Sequence, residues 1–331
     1  MMSAILKVSR WEFLQNIRSR RFLTTTVLIP LIIFGFSSIA IWLASSESAQ
    51  SSGQHLFDRQ QLEQLEKLLQ KTQGATPEEL SQRAQAQQVI TMLISSVFAF
   101  IFIYSSLFSV VMVLMGVVRE KQSRVVELLL SSISPAELMY GKILGFAGLG
   151  LVQVLIWIAI GLGLFVLFGP SLGLPAPLLV GIVVAYMPWT ILALYVLFFV
   201  LGYLFIAALS AAMGATMGVE DILSGQQLQS TLIIMPMILP AMFLQRIIDD
   251  PNGMFTLVLS FIPFTAPTTM LIRLAKSPEV PVAVWQTALS LIVLALCCWL
   301  AMRLAAKIFS VGILLYGKSA SLGEMWTWLR R

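Results

Sequence analysis

The sequence predicts an all-α integral membrane protein with six transmembrane helices. Of the 331 residues, 58% are hydrophobic and only 11% are charged, whereas soluble domains carry about 25% charged residues. The apolar residues gather in runs of about 20 or more, the length that crosses a bilayer at 1.5 Å per residue. Basic residues gather in the short segments between alternate runs, as they do on the cytoplasmic side of membrane proteins.

The chain begins with a basic, amphipathic segment, residues 1–21. Its apolar residues fall on one helical stripe: Ile5, Val8, Leu14 and Ile17. This pattern predicts an interfacial helix along the inner leaflet; a plain extension of the first span is the alternative.

The first predicted span, 22–44, follows this segment. Because the basic segment is long and the apolar run passes into polar residues, we expect a retained span rather than a cleaved signal peptide.

Residues 45–88 are rich in Gln, Ser and Glu, with leucines at helical spacing. Thr76-Pro77-Glu78-Glu79 has the pattern of a capped helix start. We expect an external helical segment that extends the first span and the second span, 89–118.

Four later apolar runs predict the remaining spans: 143–168, 189–213, 228–248 and 282–308. Pro188 divides the long run that contains the fourth span. The stretch 254–274 is also apolar, but Pro263 and Pro267 interrupt it. Because proline lacks a backbone donor and breaks helices, this stretch predicts a re-entrant pair of short helices that other protein segments cover.

Charge predicts the orientation. With six spans, both termini lie on one side of the membrane. Basic residues before the first span, in the loop 119–142, and from Arg303 through the tail 309–331 make up 14 of the 21. The positive-inside rule places them in the cytoplasm. A full crossing at 254–274 would put the basic tail outside, so we expect a multi-pass protein of the cytoplasmic (inner) membrane with both termini inside.

The sequence disfavours metal, disulfide, nucleotide and nucleic-acid sites in this chain. His55 is the only histidine, and Cys297 and Cys298 are adjacent in an apolar run, so neither a metal site nor a structural disulfide is expected. Gly312–Ser319 matches a phosphate-binding loop letter for letter, but a predicted membrane helix precedes it, so we expect no nucleotide site there. The net charge is +5, and the basic residues lie in short segments beside the apolar runs. This distribution favours contact with lipid headgroups rather than with nucleic acid.

The loop 119–142 is the informative segment. Its first half predicts an amphipathic helix with leucines and valines opposite Glu120, Arg124 and Glu127. Ser134, Pro135 and Glu137 can cap a new helix that becomes the third span. A short, charged, half-apolar helix between two spans can dock another protein; an ordinary interfacial loop helix is the alternative.

The residues also carry a family resemblance. The loop 120–142 resembles that between the second and third spans of type-2 ABC exporter permeases, closest to the NatB-like sodium-efflux group. Other stretches resemble that group in the same order: 198–204, 220–229, 260–267 with Arg273, and 315–330. NatB-like permeases often have a much larger external insertion than residues 45–88, so the substrate of that group does not carry over directly to this chain.

The resemblance implies a permease that forms a dimer, with a second copy or a paralogue, above two separate ABC ATPase subunits. ATP and Mg would bind to those partners, and this chain would hold no cofactor. Helix 122–130 would be the coupling helix. The implied ATPase-contact residues are Glu120, Lys121, Ser123, Arg124, Glu127, Ser134, Pro135, Glu220 and Asp221.

The substrate route would lie between the paired subunits. The residues that the resemblance places near it are Pro263, Phe264, Pro267 and Arg273. The substrate is open: the lack of acidic residues deep in spans favours lipids or amphiphilic molecules, and the resemblance favours sodium. Two other classes remain as alternatives, namely an ATP-independent secondary transporter or channel, and a structural or assembly membrane protein.

Overall fold

In a computed structural model, the structure describes residues 2–20, 22–28, 30–32, 35, 99–107, 111–119, 131–168, 189–217, 227, 230–275 and 280–312. These residues are almost entirely helical and include no strand. The prediction of an all-α fold is therefore confirmed for the described part of the chain.

The described residues form ten helices. They are α1 (Met2–Ile17), α2 (Phe22–Ile32), α3 (Ala99–Arg119), α4 (Pro135–Phe168), α5 (Trp189–Thr216), α6 (Met235–Met242), α7 (Leu244–Asp249), α8 (Met254–Phe261), α9 (Ala266–Ala275) and α10 (Val284–Gly312). Helix α3 is described on both sides of residues 108–110. A π-helical turn, Ser230–Ile234, leads into α6.

Four of these helices are long and apolar enough to cross a bilayer: α3, α4, α5 and α10. They coincide with the predicted second, third, fourth and sixth spans. Helix α2 and the apolar stretch Thr231–Met242 are shorter and lie within the predicted first and fifth spans. Residues 36–88 and 313–331 lie outside the described ranges, so the total of six spans stays a prediction.

Helix α4 begins eight residues before the predicted start of the third span. It runs for 34 residues, which corresponds to about 51 Å at 1.5 Å per residue. This length exceeds the roughly 30 Å of a bilayer core, so about two fifths of α4 would project beyond it. The projecting part begins in the predicted cytoplasmic loop.

The predicted fifth span is segmented. Pro236 and Pro240 have no N–H to donate to the preceding turn, so the normal ladder of helical hydrogen bonds is incomplete here. Phe243 leaves the helical region with φ −107° and ψ 25°, and α7 begins directly after it. The segment therefore consists of a π-helical turn and two short helices rather than one regular helix.

The core lies between α3, α4, α5 and α10. Helix α5 packs extensively on α10, and it also contacts α4 and α9. Its aromatic side chains join it to α3, where the Phe102 and Phe199 rings meet edge to face at 5.6 Å. The opposite face of α10 stays exposed, with Trp285 and Ile292 each more than 60% accessible. A helix that leaves such residues exposed fits a lipid environment.

Candidate functional site

The start of α4 carries the capping arrangement that the sequence predicts. The Glu137 backbone N–H donates to Ser134 Oγ at 3.2 Å, and the Ser134 backbone N–H donates to Glu137 Oε2 at 3.0 Å. Pro135 occupies the first helical position, where a missing N–H costs little. This reciprocal cap is confirmed, and it fixes where the loop ends and the rigid helix begins.

Helix α1 packs closely against the projecting part of α4. A Cβ added at Gly145 would lie 2.7 Å from Glu12 Cβ and 2.9 Å from the Ser9 carbonyl oxygen. A Cβ at Gly141 would lie 2.6 Å from Val8. The absence of side chains at these two positions, four residues apart on one face of α4, is what allows the two backbones to approach.

A buried ion pair connects the same two helices. The Lys142 ammonium contacts Glu12 Oε1, and both side chains are less than 5% exposed. Asn16 Nδ2 donates to Glu12 Oε2 at 3.1 Å and to the Glu12 carbonyl oxygen at 2.9 Å. A shift of α1 along α4 would leave both buried charges without a partner, which is costly. The pair therefore favours a single register of α1 on α4.

The predicted apolar stripe of α1 is divided between two environments. Ile5, Val8 and Ile17 are half-buried in the protein, whereas Leu14 is 40% exposed. Trp11, which lies outside that stripe, is 49% exposed. Trp and neighbouring basic residues are typical of membrane interfaces. The location of α1 at the inner leaflet stays a prediction.

The stretch 254–274 contains two short helices, α8 and α9, joined by a turn at 262–265. The Ala266 N–H donates to the Ile262 carbonyl at 2.7 Å, and Thr265 Oγ1 donates to the Leu259 carbonyl at 2.5 Å. These bonds close the turn around Pro263 and Phe264. Helices of eight and ten residues span about 12 and 15 Å, less than the roughly 30 Å of a bilayer core.

This helical pair is anchored to α5. The Phe264 ring meets Phe205 edge to face at 5.1 Å. Pro267 is buried against Gly202, where an added Cβ would lie 2.5 Å from Pro267 Cγ. Gly202 stands in the aromatic-glycine-tyrosine stretch 198–204, so the fold brings two of the stretches that carried the family resemblance into contact.

Arg273 is completely buried, and its N–H groups are directed at neutral acceptors. Nε donates to the Pro251 carbonyl at 2.7 Å, Nη1 to Ser260 Oγ at 3.0 Å and to Met270 Sδ at 3.6 Å. Nη2 donates to the side-chain oxygens of Asn252 at 3.0 Å and Gln286 at 2.5 Å. Five contacts match the five donors of a guanidinium group, so Arg273 holds this element together. A role for it on a translocation path stays a prediction.

The two ends of the element lie together. Asn252, before α8, donates to the carbonyl of Pro281, after α9, at 3.4 Å. Arg273 joins Asn252 to Gln286 at the start of α10. The chain therefore enters and leaves this helical pair at neighbouring points.

The other predicted contact residues lie outside the described part of the chain. They are Glu120, Lys121, Ser123, Arg124, Glu127, Glu220 and Asp221. The described residues nearest to them in the loop, Arg119 and Ser131, mark where the loop leaves α3 and where it approaches α4. The roles of these seven residues stay predictions.

Comparison with known proteins decides the family. Residues 54–307, well over half of the chain, match the family described as "ABC-2 family transporter protein". The chain belongs to the ABC-2 transporter family. Members of this family form the membrane component of a transporter, so the resemblance to ABC permeases is confirmed, while the NatB-like subgroup stays a prediction.

Two curated proteins are similar to this ABC-2 chain. Uncharacterized protein MJ1024 of Methanocaldococcus jannaschii is 32% identical over 208 residues, which cover 62% of the chain and 46% of MJ1024. Uncharacterized protein YhaP of Bacillus subtilis is 29% identical over 248 residues, which cover 73% of the chain and 57% of YhaP. The chain thus spans about half the length of these relatives. No solved structure matches it.

The Glu12–Lys142 pair is the feature of the ABC-2 chain that sequence reasoning missed. The orientation argument uses Lys142 only as a cytoplasmic charge. The spacing of Gly141 and Gly145 on either side of it was the available signal, because small residues four apart mark helix contacts in membranes. The single acidic residue of α1, Glu12, was then the candidate partner.

Proposed function

We propose that this ABC-2 chain is the permease subunit of an ATP-driven exporter in the cytoplasmic membrane. It pairs with a second copy or a paralogue, and separate ABC ATPase subunits dock on its cytoplasmic side. The family match carries the proposal, because ABC-2 permeases normally work with such ATPases. The substrate is a lipid, an amphiphilic small molecule or sodium, and the transport route lies between the paired subunits.

The connection between loop and helix supports a mechanical role for residues 119–142. The exposed cap at Ser134 joins the loop directly to α4. Helix α1 is fixed to the same end of α4 by the Glu12–Lys142 pair and the glycine contacts. A force on the loop would therefore move α4 and α1 together. Glu120, Lys121, Ser123, Arg124 and Glu127 are the proposed ATPase contacts, with Glu220 and Asp221 as a second contact.

The α8–α9 pair is the proposed external cover of the route. Its anchorage on α5 at Phe205 and Gly202 and its closed ends support an element that enters the membrane from outside and returns to the same side. Pro263, Phe264 and Pro267 would form its tip, and Arg273 would hold its base.

The first test is co-purification of the full chain from native membranes. We expect an ABC ATPase in a one-to-one ratio with the permease, measured by native mass spectrometry. A chain that transports in vesicles without ATP would favour the secondary transporter or channel. A chain that carries neither an ATPase nor a transport activity would favour the structural role.

The second test addresses the coupling helix in the assembled complex. Charge reversal by Glu127→Arg or Arg124→Glu should lower substrate-stimulated ATP hydrolysis about tenfold, since each reversal places like charges at a contact. Arg246→Glu, at the predicted external end of the fifth span and thus far from the loop, is the control and should leave hydrolysis unchanged. Unchanged coupling in both loop variants, with normal membrane insertion, would overturn the assignment of this loop.

A further inference from the structure

A cavity lies inside the helical bundle, where the α1–α2 junction meets α3, α4 and α5. Its walls include Asn16, Phe22, Met112, Phe146, Gln153 and Tyr203. The space open to the centre of a water-sized molecule is about 10 Å³. This is room for roughly one water or one hydroxyl group.

Gln153 is the unexplained residue of this cavity. Its side chain is completely buried, and within the described part of the chain neither Nε2 nor Oε1 has a hydrogen-bond partner. It lies in α4, about 15 Å along the helix axis from Ile143, and thus near the middle of the predicted third span. A buried primary amide without partners is rare in proteins and calls for a ligand or a bound water.

The chemistry of the walls selects an uncharged ligand. None of the described residues that line the cavity is charged. Besides Gln153, its polar groups are the side chains of Asn16 and Ser19 and the hydroxyl of Tyr203, and most of its surface is aromatic or aliphatic. The carboxylate of Glu12, which accepts a hydrogen bond from the lining residue Asn16, also contacts Lys142 and so is already paired. An isolated ion would therefore lose its hydration without gaining a counter-charge. A primary amide both donates and accepts hydrogen bonds, and a hydroxyl group does the same.

We propose that this cavity is a binding site for one uncharged hydroxyl group, held by the side-chain amide of Gln153. The hydroxyl belongs to a water molecule or to a membrane lipid. The cavity also reaches Asn16, whose Nδ2 is bonded to Glu12. The bound hydroxyl would thus extend the polar group Lys142–Glu12–Asn16 from the cytoplasmic end of α4 towards the centre of the bundle.

The first measurement is the Tm of the purified full chain in lipid nanodiscs, with and without Gln153→Met. Met keeps the volume but removes both polar atoms, so loss of a bonded hydroxyl should lower the Tm by about 2 to 4 °C. Leu149→Met, on the same cavity wall, is the control and should change the Tm little. If the amide has no ligand, removing it relieves an unsatisfied group, and the Tm should stay unchanged or rise.

The second measurement identifies the source of the hydroxyl. Nanodiscs of phosphatidylcholine, which lacks headgroup hydroxyls, are compared with nanodiscs of phosphatidylglycerol, which has them. A Tm loss on Gln153→Met in both lipids, with radiolytic hydroxyl-radical labelling of Tyr203 well above that of Tyr195, which is buried but does not line the cavity, identifies water. A Tm loss confined to phosphatidylglycerol, without such labelling, identifies the lipid.

The proposal is overturned if Gln153→Met has an unchanged or higher Tm in both lipids. If this variant does not fold, the labelling and the Tm of the unsubstituted protein in the two lipids test the proposal instead. Labelling of Tyr203 no higher than that of Tyr195, together with the same Tm in both lipids, would equally overturn the site.

Discussion

At the scale of single residues, two buried charges are stabilised in different ways. Lys142 faces an opposite charge, Glu12, across a helix contact. Arg273 faces neutral oxygens and a sulfur from four chain segments. An ion pair fixes the relative position of two helices, whereas a saturated guanidinium group holds a whole turn-and-helix element around itself.

Removing one member of the ion pair should destabilise the protein more than removing both. Lys142→Met leaves the Glu12 carboxylate buried beside an apolar side chain, so we expect a loss on the order of 3 kcal/mol. The double variant Glu12→Gln/Lys142→Met leaves no buried charge and should recover a large part of that loss. Thermal unfolding of the four proteins of this cycle measures the coupling, and additive losses would show that the two side chains act independently.

Arg273 should not be replaceable by lysine. Lysine keeps the charge but has three donors on one atom and cannot reach acceptors on Pro251, Ser260 and Gln286 at once. Arg273→Lys should cost roughly 1–3 kcal/mol, and hydrogen exchange should become faster in α8 and α9. The exposed Arg246, which stacks on Phe255 at 4.9 Å, gives the control Arg246→Lys. Equal exchange in the two variants would contradict the role of Arg273.

At the scale of elements, apolar length predicted the long helices and proline predicted the broken ones. Runs of 20 or more apolar residues define α3, α4, α5 and α10, and Pro263 interrupts the stretch that folds as α8 and α9. The packing of α1 on α4 was not predicted, because the face that a short helix buries depends on the shape of its partner. Nothing in the periodicity of α1 marks Glu12 as buried.

Close packing of α1 on α4 gives a prediction at this scale. In Gly145→Ala the added methyl group would overlap Glu12 Cβ and the Ser9 carbonyl, so α1 must move away and its amides should exchange faster. Gly161, on the same helix, has nothing within 4 Å of an added Cβ. Gly161→Ala is therefore the matched control, and it should leave exchange in α1 unchanged. The same exchange rates in both variants would show that the contact is loose.

At the scale of the whole molecule, the sequence predicted the family, and the structure adds how the pieces of the resemblance meet. The stretch 198–204 contacts the tip of the α8–α9 pair through Gly202 and Pro267. The end of the loop 119–142 passes through Ser134 into a helix that also carries α1. The ATPase contacts predicted for the loop stay predictions, because a docking surface is defined by a second protein and not by the fold of the chain.

The topology of the α8–α9 element determines which side of the membrane its two ends face. Because the two ends of the α8–α9 element meet at Asn252 and Pro281, a cysteine before it and a cysteine after it should face the same, external side. We expect Asp249→Cys and Val280→Cys, in a background with Cys297 and Cys298 replaced by Ala, to react with a membrane-impermeant maleimide in intact cells. Ser134→Cys, at the predicted cytoplasmic end of α4, should react only after permeabilisation. Labelling of positions 249 and 280 from opposite sides would mean that 254–274 crosses the bilayer, and the predicted cytoplasmic location of both termini would then be wrong.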